Sequence, residues 1–361
     1  MRLQRLAIQD FRNLVDVGLE PAARVNLVIG PNASGKTSLL EAIHVLSCGK
    51  SFRTHKVGNT VRSGQDCFTI SGQILGDDGD RTALGVGYCR SAGTLRMKAA
   101  GQALRRTSDL AARLPVVVIH QDSHFLFSAG PRFRRRFLDW GLFHVEHGFL
   151  DAWQRFMRAL RQRNSALQQR ASRRQADIWI PELQETASYI HGLRERYLAE
   201  FLPLYQEYVT RLLGIRDGLG VRYQPGWPQD RSYQTALEQA WARDSAQGYT
   251  QYGPHRADVA FRIDGIPLHE RVSRGQQKLL VIATYLAFTA LYRRRTGREC
   301  LLMIDDVAAE LDADRLRLTF DLLAELALQT FLSHTEGLDQ VLKDLPRKMF
   351  HVEQGTVKEV L

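Results

Sequence analysis

Residues 24–37 read "RVNLVIGPNASGKT". Its first part is an apolar, β-branched run, which predicts a buried strand. The part after it, "GPNASGKT" (30–37), fits the spacing G-x-x-x-x-G-K-[ST] in full. "SLLEAIHVL" (38–46) then carries apolar residues at helical spacing. Strand, glycine-framed loop and helix together form the context a phosphate-binding loop requires. Gly30 and Gly35 let backbone N–H groups turn toward phosphate oxygens with no Cβ in the way. The following helix adds the positive end of its dipole. Lys36 is placed to reach the outer phosphates, and the Thr37 hydroxyl to ligate magnesium. The expected ATP contacts are Gly30, Pro31, Asn32, Ala33, Ser34, Gly35, Lys36, Thr37 and Ser38.

A second element supplies the acidic half of such a site. "LLMIDD" (301–306) reads as an apolar strand ending in Asp305 and Asp306. Carboxylates at the carboxyl end of a core strand lie where open α/β sheets do phosphate chemistry. Asp305 is expected to join Thr37 in holding magnesium. Asp306, with Lys36 and Asp305, is expected to carry catalysis.

Composition narrows the setting. The chain has 361 residues with 44% hydrophobic content, enough for a sizeable core. Its net charge of +10 favours an acidic partner such as nucleic acid. Four cysteines stand far apart without CxxC or zinc spacing, so reduced thiols and a cytoplasmic location are expected, with no disulfide. The opening "MRLQRLAIQDFRN" has charges breaking its apolar residues and does not read as a signal peptide. The run "LLVIATYLAFTALY" (279–292) is too short to span a bilayer and reads as a core helix. No membrane role is expected.

Between the two halves of the site the pattern changes. "FTISGQIL" and "RTALGVGYC" flank the turn "GDDGD", and "LPVVVIH" reads as a buried strand. Helical spacing then runs from about 131 to 213. Trp153, Phe156, Leu160 and Leu167 mark one apolar stripe, and Ile190, Leu193, Tyr197, Phe201, Tyr205 and Tyr208 another. "VAFRIDGIPL" predicts a hairpin around Asp264-Gly265. The domain reading is therefore a discontinuous ATPase domain of residues 1–125 and 250–361, with a helical lobe, 126–249, inserted.

"VSRGQQK" (272–278) directly precedes the long core helix, and its "SRGQ" resembles the signature loop of ABC-type ATPases. In those heads the signature serine and glycine contact ATP held by the opposite subunit. The resemblance gives Ser273, Arg274, Gly275 and Gln276 that role in trans. It also makes "AELD" (309–312), with Glu310, Leu311 and Asp312, the loop crossing the dimer seam, and His334 a γ-phosphate sensor. Asp306 takes the place of the usual glutamate that polarises water. Being one methylene shorter, it implies slow hydrolysis.

With "GPRFRRRFLDWG" (130–141), "GPHRAD" (253–258), "MIDDVAAELD" (303–312) and "DFRN" (10–13), the chain resembles the RecF family along its whole length. The implied fold is α/β: a P-loop NTPase of ABC/SMC-head type, with a mixed sheet, a β-rich N-terminal part and an inserted helical lobe. The resemblance makes Arg12 and Asn13 phosphate or base contacts and Gln121 a glutamine coupled to magnesium. It implies a DNA-dependent ATPase that dimerises on ATP, binds double-stranded DNA near gaps or junctions, and promotes recombinase loading with RecO and RecR. The sequence departs from the pattern at Arg274, where a glycine is usual, and in "HQDSH" (120–124), which lacks a proline.

Charge marks a surface for DNA. Residues 132–174 hold eleven arginines against three acids, which accounts for most of the net charge. A single run of this kind is usually a solvated helix face, but such concentration in one lobe points to phosphate contacts. Arg155, Arg158, Arg161 and Arg163 are the expected contacts, with Lys50, Arg53 and Lys56 as further candidates, and Arg134 to Arg136 read alternatively as anchoring the lobe to acidic core residues. The alternative reading, a nucleotide-binding subunit serving a membrane partner, leaves this lobe without a use.

Overall fold

The computed structural model describes residues 1–307, 311–335 and 347–360. The chain divides into two compact units: residues 1–123 with 278–361, and residues 124–277. The stretch 250–277, grouped with the ATPase segment in the sequence reading, clusters with the second unit.

The first unit begins with strands β1 (Arg2–Phe11), β2 (Leu14–Leu19) and β3 (Val25–Ile29), then helix α1 (Lys36–Cys48). Strands β4 (Cys67–Leu75), β5 (Arg81–Cys89), β6 (Thr94–Ala99) and β7 (Gln102–Ala103) follow, with α2 (Thr107–Arg113) and β8 (Val116–Ile119). The second unit holds α3 (Phe125–Ser128), α4 (Pro131–Val145), α5 (Phe149–Gln168), α6 (Arg173–Asp177) and α7 (Ile180–Leu213). It continues with β9 (Leu219–Gln224), α8 (Tyr233–Gln239), α9 (Trp241–Gln247), β10 (Asp258–Ile263) and β11 (Ile266–Pro267). Helix α10 (Arg274–Thr296) leads back into the first unit. That unit ends with β12 (Leu301–Ile304), α11 (Ala313–Leu326), β13 (Thr330–His334), β14 (Arg347–Glu353) and β15 (Thr356–Glu359).

Two sheets form the first unit. One runs β2-β1-β4-β5-β6-β7, antiparallel throughout. The other runs β15-β14-β3-β13-β12-β8, parallel except for the edge strand β15. Helix α1 packs against strands of both, and apolar residues of both sheets share one core with it. Nine of its thirteen residues are buried, as expected of a helix covered on two sides. Leu39, Leu40, Ile43 and Leu46 are fully buried, each contributing about 1.5–3 kcal/mol. This clamps the helix that opens at the phosphate loop.

Cys67 and Cys89 correct the expectation of free thiols. The β4–β5 register sets them directly opposite, Cα to Cα 4.1 Å, and they are joined in a disulfide. Cys48 and Cys300 are free.

In the second unit the expected hairpin is present. Asp264 and Gly265 both have positive φ, 51° and 78°, as a two-residue turn between β10 and β11 demands. Pro181 stands in the first turn of α7, where its missing N–H costs nothing. Burial pushes two histidines of this unit down, His144 to about 3 and His255 to about 4. Both stay neutral in the folded protein while the unfolded chain protonates near pH 6.5. Stability is complete above that pH and falls as pH drops toward about 4, because the unfolded state binds the extra protons. We expect Tm to fall across that window in thermal scans, and His255→Gln to flatten the fall.

Candidate nucleotide site and basic surface

The phosphate loop joins β3 to α1 at the carboxyl end of the parallel sheet. Gly30, Ala33 and Gly35 have φ of 147°, 63° and 125°, so the loop turns through the left-handed region three times. A Cβ on Gly30 would meet the Val352 carbonyl oxygen at 2.2 Å, which only glycine avoids. No side chain caps the start of α1 and its first turn holds no acid, so its N–H groups are left to face an anion. The Ser34 hydroxyl is buried and has no hydrogen-bond partner among the described residues, a further polar group that suits a phosphate. Lys36 Nζ donates to the Gly30 and Pro31 carbonyls at 2.7 and 2.9 Å, folding over the loop. Burial lowers its pKa, opposed by the charges of Asp306 and Asp305.

The parallel register brings the acidic strand beside this loop. Thr37 Oγ1 donates to Asp305 at 3.1 and 2.9 Å. A hydroxyl and a carboxylate in contact form an all-oxygen pair of the kind magnesium prefers. Ser333, to which the sequence reading gives no role, fixes both aspartates. Its hydroxyl donates to Asp305 Oδ1 at 2.6 Å and accepts from the Asp306 N–H at 2.8 Å. Lys278, the last residue of "VSRGQQK", donates to the Asp306 carbonyl at 2.7 Å. Held from both sides, Asp306 adopts φ 55° and its carboxylate is largely exposed. His334 ends β13 opposite Ile29, the residue before Gly30, with Nδ1 3.8 Å from Asp306 Oδ1. Gln121 follows β8, whose end accepts the Asp305 N–H through Ile119 O at 2.8 Å.

Asn13 lies against the loop, its Nδ2 donating to Ser34 O at 2.8 Å. Arg12 does not point into the loop. Its Nε and Nη2 form a two-pronged pair with Glu41 at 2.9 and 2.7 Å, and Nη1 donates to Asn59 O at 3.1 Å. Glu41 is fully buried in α1, and Ser51 and Arg53 also reach it, at 2.5 and 3.5 Å. A buried glutamate in an apolar helix is the signal sequence reading passed over, because a buried carboxylate needs paired donors. The β14–β15 turn completes the loop's surroundings: Gly355 N–H donates to Ser34 O at 3.2 Å. Gly355 has φ 80°, and a Cβ there would sit 2.0 Å from Asn13 O. Gly355→Ala is expected to cost about 1–3 kcal/mol in strain. Thermal denaturation should show the lower Tm, and nucleotide titration a weaker affinity as Asn13 and Ser34 shift.

A family model described as the RecF/RecN/SMC N terminal domain matches residues 2–358. The DNA replication and repair protein RecF of Cellvibrio japonicus (strain Ueda107) is 39% identical over 365 residues, covering 99% of each chain. The chain belongs to the RecF family. The RecF of Azotobacter vinelandii is 40% identical over 363 residues, again covering 99% of each chain. Among solved structures, the recombination mediator RecF with ATP, of the RecFOR pathway, matches with TM-score 0.88 and 25% identity. That match covers 99% of this chain and 97% of the other. A Smc head bound to the C-terminal winged helix of ScpA, 14% identical with TM-score 0.61 over 100% of this chain and 97% of that one, shares the fold. The fold is thus the ABC/SMC-head ATPase fold.

The RecF-family segments explain several arginines. Arg134 grips Asp258 with two bonds, at 2.7 and 3.1 Å, and Arg135 donates to Ala257 O at 2.6 Å. Arg134 thus has an acidic anchor, but it lies in the same unit and not in the first one, and Arg135 takes a backbone carbonyl instead of an acid. Arg163 corrects the DNA expectation: it is fully buried, bonded to Asp244 at 2.7 Å and to Thr250 at 2.6 Å. A phosphate cannot reach it without breaking that pair. Arg155 is tied to Glu182 and Glu185 at 2.7 and 3.0 Å, which offsets its charge. Arg158, Arg161, Lys50, Arg53 and Lys56 are exposed.

In the signature stretch, Ser273 and Gln276 cap α10 reciprocally. The Ser273 N–H donates to Gln276 Oε1 at 2.9 Å and the Gln276 N–H to Ser273 Oγ at 3.3 Å, as in a capping box. Arg274 is exposed and Gly275 half-buried. Asp312 caps α11 by accepting the Arg315 N–H at 2.8 Å, and Leu311 is half-buried beside it. Glu310 lies outside the described residues. Among the described residues, no helix is long and apolar enough to cross a membrane.

Proposed function

We propose that the chain is an ATP-operated DNA-repair switch. Two copies close on ATP, hold double-stranded DNA near single-strand gaps or junctions, and promote recombinase loading with RecR and RecO. The observation that carries this reading is the direct contact of Thr37 with Asp305, which joins the phosphate loop to the acidic strand in a RecF-family chain. When bound, magnesium would be held by Thr37 and Asp305 and would neutralise charge between phosphate oxygens. Gly30 to Ser38 cradle the phosphates, with Lys36 turning from loop carbonyls to the nucleotide. Asn13, Gln121 and a released Arg12 flank the bound nucleotide. Asp306 orients the attacking water, and its short side chain keeps turnover slow. His334 is placed to sense the outer phosphate.

In this reading Ser273, Arg274, Gly275 and Gln276 meet the nucleotide of the second copy, and Leu311 and Asp312 lie at the seam. The 3.3 Å cap bond of Ser273 Oγ is long, so exchanging it for a phosphate oxygen costs little. Arg158 and Arg161, with Lys50, Arg53 and Lys56, contact the DNA backbone, so affinity falls steeply with salt and carries little sequence preference.

Sizing the protein with ATP and magnesium tests the switch. ATP should raise the dimer fraction of wild type, and neither Lys36→Met nor Ser273→Arg should respond. A wild-type dimer fraction unmoved by ATP would sink the shared-site reading. A normal response from Ser273→Arg would remove the signature loop from it.

A further inference from the structure

Cys67 and Cys89 belong to no part of the nucleotide site. They close one end of the β4–β5 ladder, directly paired in register, and both are partly exposed. Hydrogen bonds clip the same end. The Arg90 N–H donates to Asp66 O at 2.9 Å, and the Ser91 N–H to Asp66 Oδ1 at 2.9 Å. Cys300, in contrast, is fully buried and its thiol is pushed up to about 12 by that burial, so it is poorly placed for exchange.

From this corner a chain of bonds leads to the N-terminal turn. Arg90, next to Cys89, donates to Gly58 O at 3.3 Å and to Val61 O at 3.0 Å. The segment 57–61 in turn accepts the Arg12 N–H at Thr60 O, 2.7 Å, and Arg12 Nη1 at Asn59 O, 3.1 Å. Resting on the proposed function, which sets the chain among cytosolic DNA-repair proteins, a disulfide here belongs to a class that is usually transient and catalytic or redox-sensing. Its partial exposure lets an attacking thiolate reach a sulfur.

We propose that Cys67 and Cys89 form a reversible thiol–disulfide modification site, opened and closed by a low-molecular-weight couple of the glutathione class, and that closing it steadies the segment holding Arg12. In the closing direction, one cysteine thiolate attacks a sulfur of the oxidised couple, forming a mixed disulfide and expelling one small thiolate. The second cysteine thiolate then attacks the protein sulfur of that mixed disulfide and expels the other. Two protein thiols lose two protons and two electrons, and one small disulfide gains them as two small thiols. Opening is the reverse.

The test equilibrates the native full-length chain in oxidised or reduced glutathione, then quenches, denatures, alkylates and weighs it. Of the four cysteines, two fewer should be alkylated after oxidation. Reduced glutathione should restore them, and Cys67→Ser/Cys89→Ser should show no change. Four alkylated cysteines in excess oxidised glutathione overturn the site, as does a bond that persists in excess reduced glutathione. Hydrogen exchange on the same two samples reads the Arg12 amide, which should exchange severalfold more slowly in the oxidised form. Equal exchange overturns the link to Arg12.

Discussion

Asp306→Asn is expected to abolish nearly all ATP hydrolysis while leaving ATP binding in place. A positioned general base contributes about 10²–10⁴-fold in rate, and that is the loss expected in single-turnover assays. The substitution is clean because the bonds that hold residue 306 are made by its backbone: N–H to Ser333 Oγ and carbonyl to Lys278. Asparagine also tolerates the left-handed φ of 55° found there. Only the negative charge is removed, from a carboxylate that touches neither Thr37 nor the phosphate loop in any described hydrogen bond. Lys36→Met should differ by weakening nucleotide binding as well. A rate for Asp306→Asn within about tenfold of wild type, too small a loss for a general base, would move the base elsewhere. Lys278→Ala supplies a graded control. It frees the Asp306 carbonyl and should slow hydrolysis less than removal of the carboxylate does.

What could be read from the chain follows from how local each feature is. The strand, loop and helix at 24–48 are contiguous, and each local preference agrees with the fold, so the nucleotide half of the site was legible. The Asp264-Gly265 turn was legible for the same reason. The pairing of Asp305 with Thr37 crosses 268 residues and could be inferred only through the sheet rule for strand ends. Lys278 and Ser333 were missed because they act on backbone and carboxylate groups that no spacing rule ties to them. Strands β14 and β15 were missed as well: β14 has a parallel partner, β3, more than three hundred residues earlier.

The buried arginines were missed for another reason, and the signal was present. Phe156, Leu160, Arg163 and Leu167 follow 4-3-4 spacing, as do Ile190, Arg194, Tyr197 and Phe201. That spacing places each arginine on the apolar stripe of its helix, facing the core. Counting charge along the segment placed Arg163 on the surface with Arg155, Arg158 and Arg161. Spacing would have set Arg163 apart from Arg158 and Arg161. The exposed cations are therefore fewer than the local charge suggests, and the DNA reading rests on those.

Arg194→Met is expected to be the most damaging single change in the second unit. Arg194 is fully buried in α7, donating to Asp139 of α4 at 3.2 and 2.6 Å and to Pro254 O at 2.8 Å. Its guanidinium also lies over the Trp153 ring of α5, 5.6 Å from the centroid. One side chain thus ties together the family segments "RRRFLD", through Asp139, and "GPHRAD", through Pro254, with Trp153 of α5 beside them. Burial already pushes the Asp139 carboxyl up, against the pull of Arg194. Removing the arginine leaves that carboxylate without its main partner and the Pro254 carbonyl without a donor. Breaking one side of such a pair costs about 3–5 kcal/mol. For a unit of this size each kcal/mol lowers Tm by roughly 2–4 °C, so a fall of about 6–20 °C is expected by calorimetry. The double variant Arg194→Met/Asp139→Leu should recover part of the loss, because it removes the stranded charge together with its partner. A single variant that melts within about 2 °C of wild type would show that the network does not hold the unit together.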